Sequence, residues 1–113
     1  MKKVSLASLV GEPVSHDKSI TKHVFLRNGD VPHLTNFSRA VLRPGQAVSE
    51  HAHDGMVEIF FVVSGRGTLL IDGVTLSLTA GDCVVVEPGE RHSLTCGEGG
   101  DLELIYLGVL SQE

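Results

Sequence analysis

The feature that most restricts this chain is its punctuation: Val, Leu, Ile and Thr gather in short runs, and Gly or Pro interrupts them before a long helix can form. Thirteen Gly and four Pro supply the breaks, and helical periodicity is nearly absent. β-branched residues suit a pleated surface, and Gly and Pro suit turns, so the pattern predicts an all-β chain. The expected strands cover residues 23–28, 34–42, 47–53, 57–64, 67–71, 74–78, 83–87, 92–96 and 102–110. Nine short strands within 113 residues call for a sandwich or a barrel.

Two turns organise the middle of the chain. Asp72-Gly73 separates Thr68-Leu69-Leu70-Ile71 from Val74-Thr75-Leu76-Ser77. A two-residue type I′ turn needs positive φ at both central positions, which Gly supplies freely and Asp tolerates. The second turn is Pro88-Gly89-Glu90-Arg91. Centred between Gly89 and Glu90, it would pair Glu87 with His92, Val85 with Leu94 and Cys83 with Cys96, and opposed residues share a face. Residues 1–21 are the least strand-like and read as an N-terminal arm that crosses the barrel or packs on a partner chain. Residues 111–113 are expected to fray.

Size and charge narrow the function. A domain of this length buries about two-thirds of its unfolded surface and folds without a metal staple, so a bound metal is functional rather than structural. The formal net charge is −5, and no basic run exceeds Lys2-Lys3. A surface that tracks nucleic-acid phosphates is therefore not expected. No apolar stretch reaches the roughly 18 residues of a membrane span. The start resembles a signal peptide only in outline, because Gly11-Glu12-Pro13 ends the apolar part early and no A-x-A site follows. Two cysteines, Cys83 and Cys96, are too few for a disulfide scaffold. The expectation is a cytoplasmic protein whose partner is a small molecule, with no membrane or nucleic acid involved.

Six histidines make the chemistry. His51 and His53 stand at i, i+2, which in a strand puts both imidazoles on one face. Glu58 follows across the turn-prone Asp54-Gly55, and His92 opens another strand after the Pro-Gly turn. Three neutral imidazoles and a carboxylate form a mixed nitrogen and oxygen donor set, suited to Fe, Mn, Ni, Cu or Zn rather than Ca or Mg.

These residues resemble the cupins, whose two motifs read G-x5-H-x-H-x3 or x4-E-x6-G and G-x5-P-x-G-x2-H-x3-N. The first is complete here across residues 45–65, from Gly45 through His51, His53 and Glu58 to Gly65. The second spans residues 81–96, from Gly81 through Gly89 to His92, with Glu87 in place of the usual Pro and Cys96 in place of the usual Asn. The resemblance implies a double-stranded β-helix, a cupin jelly-roll barrel of nine or more short antiparallel strands, as one domain over residues 1–113. It further implies one divalent transition metal on His51, His53, Glu58 and His92, and a homodimer.

Cupins include dioxygenases, isomerases, decarboxylases, sugar binders and regulators, so fold and metal alone do not name a reaction. The leading expectation is a dioxygenase-like enzyme acting on a small oxygen-chelating substrate. The alternatives are a metal-dependent isomerase and a non-catalytic module that binds a sugar or metabolite. Glu87 has two readings: a carboxylate serving His92 or acting as general base, and a solvated residue at the rim. Arg39, Phe60, Cys96 and Tyr106 are the expected substrate-pocket residues. Phe60 and Val62 share the parity of Glu58, whereas Phe61 and Val63 face the other way and, with the arm at residues 4–10, offer a dimer surface. His16, His23 and His33 fall outside the motifs and read as exposed or capping groups.

Overall fold

Among the described residues every strand pairing is antiparallel. The computed structural model describes residues 1–15 and 17–111; His16, Gln112 and Glu113, with the expectations placed on them, lie outside the described residues. A short 3-10 turn, Leu6–Ser8, precedes the strands β1 (Glu12–Val14), β2 (Asp17–Arg27), β3 (Leu34–Leu42), β4 (Ala47–His51) and β5 (Met56–Ser64). They continue with β6 (Arg66–Ile71), β7 (Val74–Thr79), β8 (Cys83–Val86), β9 (His92–Cys96) and β10 (Leu102–Leu110). One sheet has the order β1-β2-β3-β10-β5-β8 and the other β4-β9-β6-β7. This is the two-sheet jelly roll that the resemblance implied.

The Asp72-Gly73 turn is as expected. Ile71 pairs with Val74, and Asp72 and Gly73 have φ of 45° and 82°. The other turn joins different sheets. β8 pairs with β5, while β9 lies between β4 and β6, so residues 83–96 do not form a hairpin. Cys83 therefore stands opposite Phe61, Cys96 stands opposite Gly67, and both thiols are free, Cys83 exposed and Cys96 buried. The pairing of Glu87 with His92 fails for the same reason: the chain leaves one layer at Val86 and enters the other at His92.

The expected arm is also partly strand. β1 pairs with β2, and β2 begins at Asp17 instead of residue 23, because both extend the edge of the larger sheet beyond β3.

Alternation along the strands fills the interior. Leu102 and Leu104 of β10, Val62 of β5, Leu69 of β6 and Leu78 of β7 are at most 2% exposed. Burying each such side chain contributes about 1.5–3 kcal/mol relative to leaving it in water. Gly65, which closes the first motif, joins β5 to β6 at φ 90°, and a Cβ there would lie 2.1 Å from the Asp101 carbonyl oxygen. A side chain is thus excluded both by conformation and by space. Together these contacts pack one end of the barrel, Leu104 reaching the floor of a cavity whose other end carries the polar residues.

Candidate metal centre

His51, His53, Glu58 and His92 meet at that other end, with one donor atom from each within 4.8 Å of all the others. Their placement starts with a backbone irregularity. Ala47 and Val48 of β4 pair with Thr95 and Leu94, but His51 pairs with His92, so the register slips by one residue between Val48 and His51. Without this bulge, regular pairing would set Glu50 opposite His92; the extra residue re-aims His51 instead. The His51 and His92 ring centroids are 4.3 Å apart. β4 stops at His51, short of the expected residue 53. His53 lies in the loop just beyond it, yet its ring centroid is 4.8 Å from that of His51. Gly55, at φ 75°, turns the chain back so that β5 carries Glu58 inward.

Backbone carbonyls orient two of the rings. His51 Nδ1 lies 2.9 Å from the Ser49 carbonyl oxygen, and His92 Nδ1 lies 3.0 Å from that of Glu90. A carbonyl accepts only, so each Nδ1 carries the hydrogen and each Nε2 is the nitrogen available to a metal. Glu58 Oε1 is 3.1 Å from His92 Nε2 and 3.6 Å from His53 Nε2. Glu58 is 8% exposed and His92 only 2%. Burial pulls the His92 pKa down, but its hydrogen bonds to Glu58 and the Glu90 carbonyl outweigh this, and the net shift is upward. His51 moves down, chiefly by burial, with the other two imidazoles adding to the effect against the Ser49 carbonyl.

The donor set fits a divalent transition ion. Nitrogen and oxygen donors of this kind bind Fe, Mn, Ni, Cu and Zn at about 2.0–2.2 Å. An ion coordinated by both groups would take the place of any proton shared between His92 Nε2 and Glu58 Oε1. His51 and His53 are half-buried, on the side of a cavity of about 180 Å³.

Phe60 and Tyr106 line this cavity. Their rings stack with centroids 5.9 Å apart, and Phe60 meets the His92 ring edge-on at 6.2 Å. Burial pushes the Tyr106 phenol up to about 12, partly offset by a hydrogen bond with Ser38 and reinforced by the charge of Glu58. Tyr106 therefore keeps its proton throughout the neutral range.

The remaining expected site residues lie elsewhere. Ser38 and Ala40 take the inward positions of β3, so Arg39 points outward, where its Nε donates to Glu103 Oε2 at 2.6 Å. Cys96 is buried at the packed end, and its thiol donates to the carbonyls of Gly97 and Gly100. Glu87 is exposed in the turn, its backbone N–H donating to Glu90 Oε1, and it is absent from the described cavity lining. The carboxylate beside His92 is that of Glu58.

Sequence reading missed Lys22 and Asn36, which do line the cavity. Asn36 shares the inward parity of Ser38. Lys22 alternates with buried Ile20 and Val24, a signal hidden by starting that strand at residue 23.

The family model described as Cupin domain matches residues 38–108. An oxalate-binding protein of Thermotoga maritima is 34% identical over 74 residues, covering 66% of this chain. The polyketide synthase CurC of Streptomyces cyaneus is 38% identical over 53 residues, 47% of this chain. The matches span 61% and 34% of those two relatives, so the chain aligns with less than two thirds of either. Among solved structures, a predicted oxalate decarboxylase of Thermotoga maritima superposes with a TM-score of 0.89 at 25% identity, covering 97% of this chain and 100% of that one.

Proposed function

Since the chain belongs to the cupin family, we infer that it is a mononuclear metal-dependent protein whose partner is a small oxygen-chelating organic molecule, with dioxygenase-like turnover. The observation that carries this reading is the meeting of three imidazoles and one carboxylate within 4.8 Å beside a cavity. Held there by His51, His53, Glu58 and His92, a divalent ion would supply Lewis acidity and, for Fe, Mn, Ni or Cu, reactivity toward dioxygen.

The side chains around it have definable tasks. Glu58 contributes the one negative charge of the donor set, and the Ser49 and Glu90 carbonyls hold two imidazoles in the tautomer that presents Nε2. Phe60 excludes water from one wall. Tyr106 keeps its proton and offers a neutral hydroxyl for hydrogen bonding.

A second reading is non-catalytic capture of a small dicarboxylate, favoured by the relative that is an oxalate-binding protein. The two separate experimentally. Protein purified without an affinity tag is analysed for metal, then screened for oxygen uptake against diketones and catechol-like compounds. About one bound ion per chain and oxygen uptake abolished by His51→Ala are the expected results. A bound ion and tight dicarboxylate binding with no turnover would establish capture instead, and a chain that takes up no ion would overturn both.

The reading also includes a homodimer in a reducing cytoplasm. Phe61, Val63 and Val85, 44%, 41% and 48% exposed, share the outer face of β5 and β8, an apolar area that a second copy would cover. The two free thiols suit a reducing compartment. Among the described residues, no helix is long and apolar enough to cross a membrane.

A further inference from the structure

The inner face of β2 carries a cation between two buried aliphatic residues. Ile20 is 1% exposed and Val24 is 7% exposed, and Lys22 lies between them on the cavity wall. Lys22 is the one Lys or Arg among the described lining residues. Glu12, its register partner on β1, has its carboxylate held by Arg27. An anion that enters the cavity would meet this positive charge beside an aliphatic wall.

Much of the rest of the wall is hydrocarbon, from Val14, Ala40, Leu42, Val48, Leu94 and Leu104, with Ser15, Asn36 and Tyr106 as its polar members besides the four donors. The volume of about 180 Å³ compares with the roughly 150 Å³ of an engineered cavity that takes up benzene. A ligand on the order of six to ten non-hydrogen atoms fits such a space, part of it reaching toward the four donors. Glu58 supplies one negative charge, so a divalent ion held there would leave the centre net positive, and Lys22 adds a further positive charge. Both favour an anion.

We propose that the cavity selects a small organic acid that chelates through a carboxylate and an adjacent oxygen and carries a short hydrocarbon body, with Lys22 as the charge that draws it in. This rests on the metal reading above. A bare two-carbon dicarboxylate also chelates, and more strongly by its own chemistry, but gains nothing from the aliphatic wall, so the wall sets the preference once intrinsic chelation is divided out.

The test is calorimetric titration of Mn²⁺-loaded protein, its bound ion counted first, with oxalate, pyruvate, 2-oxobutanoate and 4-methyl-2-oxopentanoate. Each affinity is divided by that of the same acid for free Mn²⁺, which removes intrinsic chelation. The ratio should rise through the three 2-oxo acids by up to about fourfold per added carbon, and 4-methyl-2-oxopentanoate should exceed oxalate. Lys22→Met should weaken every acid by a similar factor, about two- to fivefold, without changing the rise. A fully loaded protein with a flat or falling series, or with oxalate favoured, overturns the proposal and leaves the metal reading intact. Undiminished binding in Lys22→Met overturns the role of that residue. A protein that retains no Mn²⁺ removes the metal reading and the proposal together.

Discussion

At the packed end of the barrel the inner faces of β5, β9 and β10 carry Val62, Cys96 and Leu102, each at most 2% exposed; at the hollow end the same strands carry Glu58, His92 and Tyr106. Four or so residues along a strand separate close-packed hydrocarbon from a hydrogen-bonded polar cluster. The same strands run through both ends, with one register shift between Glu103 and Leu104 on the β5 side of β10, so the difference lies mainly in the side chains. One end supplies cohesion and the other supplies donors, which places most of the stability and most of the chemistry in different residues of shared strands.

Truncation at the packed end should have the largest effect on folding. Leu102→Ala removes a fully buried side chain and should cost about 2–5 kcal/mol in denaturant unfolding, while the fraction that stays folded binds metal with unchanged stoichiometry. Loss of metal binding without loss of stability would break the division between the ends. At the hollow end, His51→Ala should reduce metal affinity at least about tenfold, measured by competition with a chromophoric chelator. The stability of the metal-free protein should change by less than about 1 kcal/mol, because His51 is half-buried and outside the apolar core. Unfolding of this variant would make the ion structural.

The titration of the metal-free cluster sharpens the comparison further. His92 should titrate above 6.5 and His51 below it, in the order that NMR of the ring protons reads. The raised pKa of His92 contributes stability that is fully present below its unfolded value and is lost as pH rises through its folded value. The lowered pKa of His51 acts oppositely, its contribution present above the unfolded value and lost as pH falls through the folded one. Metal uptake should weaken as pH falls, since His92 must release its proton to coordinate. An inverted order of the two histidines would contradict the carbonyl and carboxylate contacts assigned to them. The smallest effect belongs to Glu87→Gln. An exposed rim carboxylate outside the cavity should change stability by no more than about 0.5 kcal/mol and leave the pH profile of any turnover unmoved. A displaced profile would bring Glu87 back into the mechanism.

Much of this was legible in the chain because the informative residues are local. His51, His53 and Glu58 lie within eight positions of one another, and Gly55 and Gly65 mark turns whose positive φ is written into the residue type. Arg39 and Lys22 were harder. Whether an alternating residue faces in or out depends on what packs across the sheet, and here Ser38 and Ala40 took the inward positions on β3 while Lys22 took one on β2. Cys83 and Cys96 misled because a Pro-Gly turn joins two strands of one sheet as readily as two strands of different sheets.

The order of residues alone determined the β character, the Asp72-Gly73 hairpin, and a set of three imidazoles and one carboxylate at family spacing, since each depends on side-chain chemistry over short separations. Tertiary structure decided which strands pair, the bulge that turns His51 toward His92, the three-residue strand β1, and the cavity that admits Lys22. Those depend on contacts between distant segments, whose energies exist only after the two sheets have closed on each other.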